Sequence, residues 1–130
     1  MVLLDASVLI DYLAGDDPVI SFLESHVADS LSTIRLVAFE VYQGEVFKPT
    51  PADFDELDDR LRWLTVRSVP AETPRVAAEL QVDLQQNGAT LAPRDAYIAG
   101  AAIAMNEPLA YRDEDFDIDA LDGKLERVRV

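Results

Sequence analysis

The chain begins with MVLLDASVLIDYL (residues 1–13), in which an apolar strand pattern ends on an acid. Residues 2–5 predict a short buried strand that finishes at Asp5. Further strand candidates alternate with helical patterns along the chain, at 31–34, 65–69, 108–111 and 125–130. This alternation predicts one α/β domain over residues 1–130, with a mainly parallel sheet of about five strands.

The composition excludes several classes of protein. Hydrophobic residues make up 49% of the chain and charged residues 28%, which is typical of a globular domain. The absence of cysteine excludes a disulfide framework and a thiolate metal site. The apolar start is interrupted by acids and has no basic flank, so we expect neither a signal peptide nor a membrane span. A cytoplasmic protein is therefore the expectation.

The net charge of −14 is unusual for a chain of this length. Concentrated salt screens such self-repulsion, and we interpret the acidity as the surface of a protein from a halophile. An ordinary acidic domain is the alternative interpretation. In either case the charge argues against a broad basic face for nucleic acid, so any polyanion must be held locally.

Proline positions indicate three helix starts. Asp17-Pro18, Thr50-Pro51 and Thr73-Pro74 each place a capping side chain before a proline suited to the first turn. Two further helices are predicted over about 35–47 and 94–106. The apolar stripe after Thr50, with Trp63 near its end, predicts core packing rather than a surface that stacks on bases.

Three isolated acids fall where strands end or helices begin. Asp5 ends the first strand, Asp113 follows the fourth, and Asp95 lies at the start of the last long helix. Ligands of open parallel sheets bind outside the carboxyl ends of the strands, where the strand order reverses. We therefore expect these three carboxylates to converge on one crevice.

A fourth acid, Glu40, interrupts the apolar face of the helix RLVAFEVYQGEVF (residues 35–47). Gly44, one turn later, leaves space beside it. A carboxylate on an inward face must be protonated, paired or metal-bound, because burying an isolated charge is costly. Arg35 and Arg94 are the candidate partners for a salt bridge.

Taken together, four segments resemble a PIN domain of the VapC toxin type. They are LLDASVLIDYL around Asp5, FEVYQG around Glu40, RDAYIAGAA around Asp95, and LAYRDEDF around Asp113 and Asp115. The resemblance covers essentially the whole chain, with the motifs in family order. It implies a three-layer α/β/α sandwich and a metal-dependent endoribonuclease. It further implies a VapB-like antitoxin partner and a homodimer.

The resemblance also implies the roles of the site residues. Asp5, Glu40, Asp95 and Asp113 would bind Mg²⁺ or Mn²⁺, with Asp115 as a further or alternative ligand. Hard oxygen ligands without His or Cys select these ions over zinc. Ser7 would orient a ligand or water, and Arg112 would lie in the supporting shell or contact substrate. Val37 and Tyr111 stand where the family often has threonine.

Other functions remain open at this level. A receiver domain that accepts phosphate is also a small α/β fold with acids at strand ends, but it needs a lysine after a late strand, and Lys124 follows only Gly123. A PIN fold without catalysis can serve as a binding scaffold. A nuclease outside any toxin–antitoxin pair would carry the same acids.

Overall fold

A computed structural model describes all residues, 1–130, and shows one five-stranded parallel sheet. The strands are β1 (Val2–Leu4), β2 (Leu31–Ile34), β3 (Thr65–Arg67), β4 (Leu109–Tyr111) and β5 (Arg127–Arg129). Their order across the sheet is β3-β2-β1-β4-β5. The α/β class and the parallel sheet predicted from the sequence are confirmed, although every strand except β2 is shorter than predicted.

Six helices connect the strands: α1 (Ala6–Leu13), α2 (Asp17–Ser25), α3 (Arg35–Val46), α4 (Phe54–Arg60), α5 (Thr73–Gln86) and α6 (Pro93–Met105). Two 3₁₀ turns, Glu114–Phe116 and Asp119–Leu121, lie between β4 and β5. No helix combines the length and the apolar composition that crossing a membrane requires.

The helices cover both faces of the sheet. The chain moves from β1 through β2 to β3 in one direction, with α1 to α4 in the connections, and then crosses back to β4 through α5 and α6. Because such crossovers are right-handed, connections running in opposite directions lie on opposite faces. In agreement, α1 packs against α2 and α3, whereas α5 packs along α6. The result is the α/β/α sandwich.

The central strands are buried on both sides. Every residue of β1 and β4 lies in the core, as expected for parallel strands covered by helices on both faces. On the face of the sheet that α5 and α6 cover, Gly100 of α6 has no Cβ and so allows α5 to approach closely. A Cβ at this position would lie 2.7 Å from the Cβ of Ala77. The central strands are therefore enclosed between the two helical layers.

The predicted helix caps were wrong in detail. Asp16, not Asp17, caps α2 by accepting a hydrogen bond from the Val19 N–H at 3.1 Å. The α4 cap is Asp53, which accepts from the Glu56 N–H at 3.0 Å, and Thr50 stays outside the helix. At α2 the cap lies one residue earlier than predicted, and Asp17 is the first residue of the helix. At α4 an aspartate takes the place of the threonine, and its charge also meets the positive end of the helix dipole. Thr73 lies inside α5, with Glu72 at the cap position.

Trp63 was also predicted wrongly as a core residue. Its side chain is 38% exposed and packs edge-to-face on Tyr12, with ring centroids 5.2 Å apart. The indole N–H donates to the Arg60 carbonyl at 3.1 Å. Trp63 lies beyond α4, which ends at Arg60, and its edge-to-face contact with Tyr12 leaves the side chain partly in solvent.

Candidate active site

The sheet order creates a crevice at the carboxyl ends of β1 and β4. β2 lies on one side of β1 and β4 on the other, so the strand order reverses between β1 and β4. Asp5 directly follows β1, and Asp113 lies two residues after β4. Both line a cleft of about 420 Å³, together with Ser7, Glu40 and Arg94. We call this the acid cleft.

The carboxylate of Asp5 accepts a hydrogen bond at only one of its two oxygens. The residue is 1% exposed and stands at the N-cap position of α1 without capping it. The Ser7 hydroxyl donates to Asp5 Oδ2 at 2.9 Å, and the backbone N–H of Arg112 donates to Ser7 Oγ at 3.1 Å. Asp5 Oδ1 is buried and accepts no hydrogen bond. Ser7 thus orients the carboxylate and leaves Oδ1 available to a ligand.

Glu40 reaches the same cleft from α3. Its side chain is 21% exposed, and Oε2 accepts a hydrogen bond from Nε of Arg94. Oε1 is buried and has no hydrogen-bond partner. Of the two candidate cations, Arg94 forms the salt bridge, whereas Arg35 is exposed at the start of α3. Gly44 leaves open space beside the carboxylate, since a Cβ there would meet no atom within 4 Å.

Asp95 lies in the first turn of α6 and is 2% exposed. Burial raises the pKa of this carboxyl from its usual value of 3.8 to about 6. The Arg94 guanidinium opposes this rise, whereas the charges of Asp115, Asp5 and Asp113 add to it. The carboxylates therefore form one mutually repelling group around the cleft.

Asp113 and Asp115 share a 3₁₀ turn. Asp113 caps the turn by accepting a hydrogen bond from the Asp115 N–H at 3.0 Å through Oδ1. This leaves Asp113 Oδ2 as the oxygen free to face the cleft. Asp115 is exposed on the turn, and both charges act on Asp95. The two acids thus differ in burial but belong to the same electrostatic group.

Arg94 is the cation of the acid cleft, and each of its nitrogens faces a different carboxylate. Nε contacts Glu40, Nη1 contacts Asp95, and Nη2 lies 3.5 Å from Asp5 Oδ1. Burial lowers the pKa of the guanidinium, but the Glu40 hydrogen bond and the three carboxylate charges raise it above its ordinary value. One positive charge therefore stands among five acids.

Arg112 takes part in the site through its backbone. Its guanidinium pairs with Asp16 at 2.7 Å and with Asp11 at 3.4 Å, both near the α1–α2 junction. Only its N–H reaches the cleft, through Ser7. The ion pairs explain why Asp11, an acid within the opening motif, belongs to the surface of α1 rather than to the cleft.

The residues of the acid cleft match the ligand preferences of Mg²⁺ or Mn²⁺. All the candidate ligands are carboxylates, which are hard oxygen donors. Two buried oxygens, Asp5 Oδ1 and Glu40 Oε1, accept no hydrogen bond, as expected for atoms that accept a cation. No three acidic side chains already stand in a coordination shell, and the Arg94 guanidinium contacts three of them. The donor types fit the ion, but binding it requires these contacts to change.

Three residues that line the acid cleft were not predicted from the sequence. Ile10, Gln43 and Phe47 line it, and Phe47 is 77% exposed. A signal was present, because Gln43 and Phe47 follow Glu40 by three and seven residues and so share its helix face. Arg94 was predicted either to pair with an acid or to bind phosphate. Its contact with three acids was not predicted, because that contact depends on how α3 and α6 meet β1.

All the acids of the cleft lie in a part of the chain that matches a known protein family. The model of the PIN domain family matches residues 2–120, which include all the acids of the cleft. The chain belongs to the PIN domain family. This assignment sets aside the receiver-domain alternative. A comparison with curated proteins gives no match.

Solved structures match this PIN domain over its full length. VapBC2 from Rickettsia felis, bound to a DNA fragment from its promoter, gives a TM-score of 0.83 at 21% identity, covering 100% of this chain and 99% of that one. FitAcB from Neisseria gonorrhoeae gives 0.80 at 20% identity, with coverages of 98% and 96%. VapBC-1 from nontypeable Haemophilus influenzae gives 0.80 at 16% identity, with coverages of 99% and 98%. These likenesses confirm the predicted PIN-like fold.

Proposed function

We propose that this PIN domain is a Mg²⁺- or Mn²⁺-dependent endoribonuclease and the toxin of a VapBC-type pair. The observation that supports the nuclease most directly is the set of carboxylates at the switch point of the sheet. They come from four separate segments, and two of their buried oxygens have no partner. Charges that repel one another at such a place are useful to a protein that binds a cation there.

The roles in hydrolysis follow from the positions of the side chains. Asp5, Glu40, Asp95 and Asp113 would hold the ion directly or through water, with Asp115 beside them. When bound, a divalent ion neutralises the phosphate charge, makes water a stronger nucleophile and stabilises the leaving oxygen. Water would attack in line with the leaving oxygen, and the family resemblance implies products with 5′-phosphate and 3′-hydroxyl ends.

The supporting contacts prepare the carboxylates for this role. Ser7 occupies Asp5 Oδ2 and the Asp115 N–H occupies Asp113 Oδ1, so each aspartate offers its other oxygen. Asp95, with a pKa of about 6, is mostly ionised at pH 7.5 and adds its charge to the set. These contacts favour a fixed set of donor atoms over a flexible acidic surface.

Two observations support a protein partner. The structural neighbours include VapBC and FitAB assemblies and a toxin–antitoxin complex from Klebsiella pneumoniae. This chain also exposes large apolar side chains on and just after α3, where Phe39 and Val46 are each 58% exposed and Phe47 is 77% exposed. Such surface is typical of an interface. We propose a VapB-like antitoxin as one partner, a second copy of the chain as another, and the cytoplasm as the location.

Cleavage of RNA by the purified chain tests the nuclease. Wild type, Asp5→Asn and the control Asp29→Asn, an exposed acid before β2, are compared in 1 M KCl with Mn²⁺ or with chelator. We expect wild type and Asp29→Asn to cut only with Mn²⁺. Asp5→Asn should lose activity by about 100-fold or more, equivalent to about 3 kcal/mol of transition-state stabilisation. Equal cutting by wild type and Asp5→Asn would contradict the proposal and favour a non-catalytic scaffold.

A further inference from the structure

Arg94 occupies the oxygens that a metal ion would need. Its three nitrogens contact carboxylates from three elements: Asp5 after β1, Glu40 on α3 and Asp95 on α6. Arg94 follows Pro93 in the first turn of α6 and precedes Asp95 directly. The side chain is therefore built into the site by the same turn that places one of the acids.

A guanidinium and a divalent ion compete for these oxygens. Asp5 Oδ1 is the atom that Arg94 Nη2 approaches, and it is also the buried oxygen that lacks a hydrogen bond. Two cations a few ångströms apart repel strongly where water is partly excluded. An ion bound by Asp5 and Asp95 thus requires Arg94 to leave at least part of its contacts.

The structure allows such a movement. The Arg94 side chain is 35% exposed and borders the open acid cleft, so it has solvent into which it can turn. No other cation contacts these three acids, because Arg112 pairs with Asp11 and Asp16. A change at Arg94 therefore alters the charge balance of the acids without a substitute taking its place.

We propose that Arg94 is the internal counterion of the metal-free acid cleft and sets its metal affinity by competing with the divalent ion. This inference rests on the proposed metal-dependent function and adds a residue that limits metal binding. Without metal, Arg94 screens the repulsion among Asp5, Glu40 and Asp95. On metal binding it releases these oxygens, and the ion takes over the neutralisation of their charge.

Mn²⁺ titration of the full chain tests the proposal. Wild type, Arg94→Gln and the control Arg62→Gln are titrated with MnCl₂ by calorimetry in 1 M KCl at pH 7.5. Arg62 is a suitable control because its side chain is 80% exposed and pairs only with Asp59. We expect Arg94→Gln to bind Mn²⁺ about tenfold or more tightly than wild type, since a competing charge is removed. Arg62→Gln should match wild type.

Metal-free stability gives a second readout. Without this counterion, Arg94→Gln should have a lower melting temperature than wild type in chelator. Addition of Mn²⁺ should raise the melting temperature of Arg94→Gln by more than it raises that of wild type. If Arg94→Gln does not fold, Arg94→Lys serves instead, because a lysine has one ammonium group in place of the three-nitrogen fork. It too should bind Mn²⁺ more tightly than wild type.

The outcomes separate this inference from the proposed function. Unchanged or weaker Mn²⁺ binding by the Arg94 variants, with wild-type binding lost in Asp5→Asn, would overturn the competition and leave the metal site standing. If wild type and every variant fail to bind Mn²⁺, the proposed function falls and the competition falls with it. A purely structural role for Arg94 predicts lower stability without the gain in affinity.

Discussion

Replacing Asp95 by asparagine should stabilise the metal-free protein while removing the proposed metal-dependent cleavage of RNA. Asp95 is 2% exposed, and its pKa is raised to about 6 by burial and by neighbouring acids, with Arg94 only partly compensating. Asparagine keeps the shape of the side chain without the charge. The variant therefore relieves the cost of holding an ionised carboxylate in this position.

The magnitude follows from the pKa difference. Between a usual pKa of 3.8 and one of about 6, the ionised native state is penalised by about 3 kcal/mol. Because the cleft is open and solvent screens part of the interaction, we expect a gain of about 1–2 kcal/mol for Asp95→Asn at pH 7.5. Exposed Asp29→Asn, the matched control, should change the free energy of unfolding by less than about 0.5 kcal/mol.

The pH dependence has a definite sign. Between pH 3.8 and about 6 the native state holds a proton that the unfolded chain has released, so the wild-type free energy of unfolding falls as pH rises. The penalty is complete above that window and absent below it. The advantage of Asp95→Asn should therefore be about half as large at pH 5 as at pH 7.5. Mn²⁺, which favours the ionised form, should stabilise wild type more at pH 7.5 than at pH 5.

Urea unfolding with chelator in 1 M KCl measures these differences, with wild type, Asp95→Asn and Asp29→Asn compared at pH 5 and 7.5. RNA cleavage with Mn²⁺ is measured on the same preparations. A lower stability of Asp95→Asn than of wild type at pH 7.5 would contradict the proposed cost of ionising the buried Asp95. A difference between the two proteins that does not change with pH would contradict it equally.

Three further predictions concern the support of the site, the helix packing and the surface charge. Ser7→Ala removes the hydroxyl that links Asp5 to the Arg112 N–H. The substitution should lower the free energy of unfolding in urea by about 1 kcal/mol and the rate of RNA cleavage about tenfold. Full activity of Ser7→Ala would contradict the orienting role. Gly100→Ala places a Cβ 2.7 Å from that of Ala77 and should lower the free energy of unfolding in urea by about 1–3 kcal/mol. Gly44→Ala has open space around the new Cβ, so its free energy of unfolding should be unchanged or higher. With a net charge of −14, the halophile interpretation predicts loss of the circular-dichroism signal below about 0.5 M KCl, and full stability there would count against it.

The architecture and the spacing of the acids along the chain could be read from local patterns in the amino-acid sequence. Alternating strand and helix periods predicted the parallel sheet, and an acid directly after the buried residues Val2–Leu4 predicted a functional strand end. These signals are local, because burial on both faces demands continuous apolar runs and parallel strands demand connecting helices. Asp5 was therefore located before any tertiary contact was known.

Local patterns were less reliable where several residues compete for one role. The cap of α4 is Asp53 rather than Thr50, although both suit the position by residue type. Trp63 was predicted to be a core residue, but it lies beyond the end of α4 and is 38% exposed. In each case the outcome depends on small differences in free energy between neighbouring residues, which a sequence pattern does not resolve.

Which charged side chains contact one another depends on how the strands and helices pack. The strand order brings the ends of β1 and β4 together, and the packing of α3 and α6 then directs Arg94 toward three carboxylates while Arg112 turns to Asp11 and Asp16. Long charged side chains choose partners by distance in space, and residues as far apart along the chain as Glu40 and Arg94 acquire a distance only on folding. The acids were visible in the sequence, but the cation among them followed from the fold.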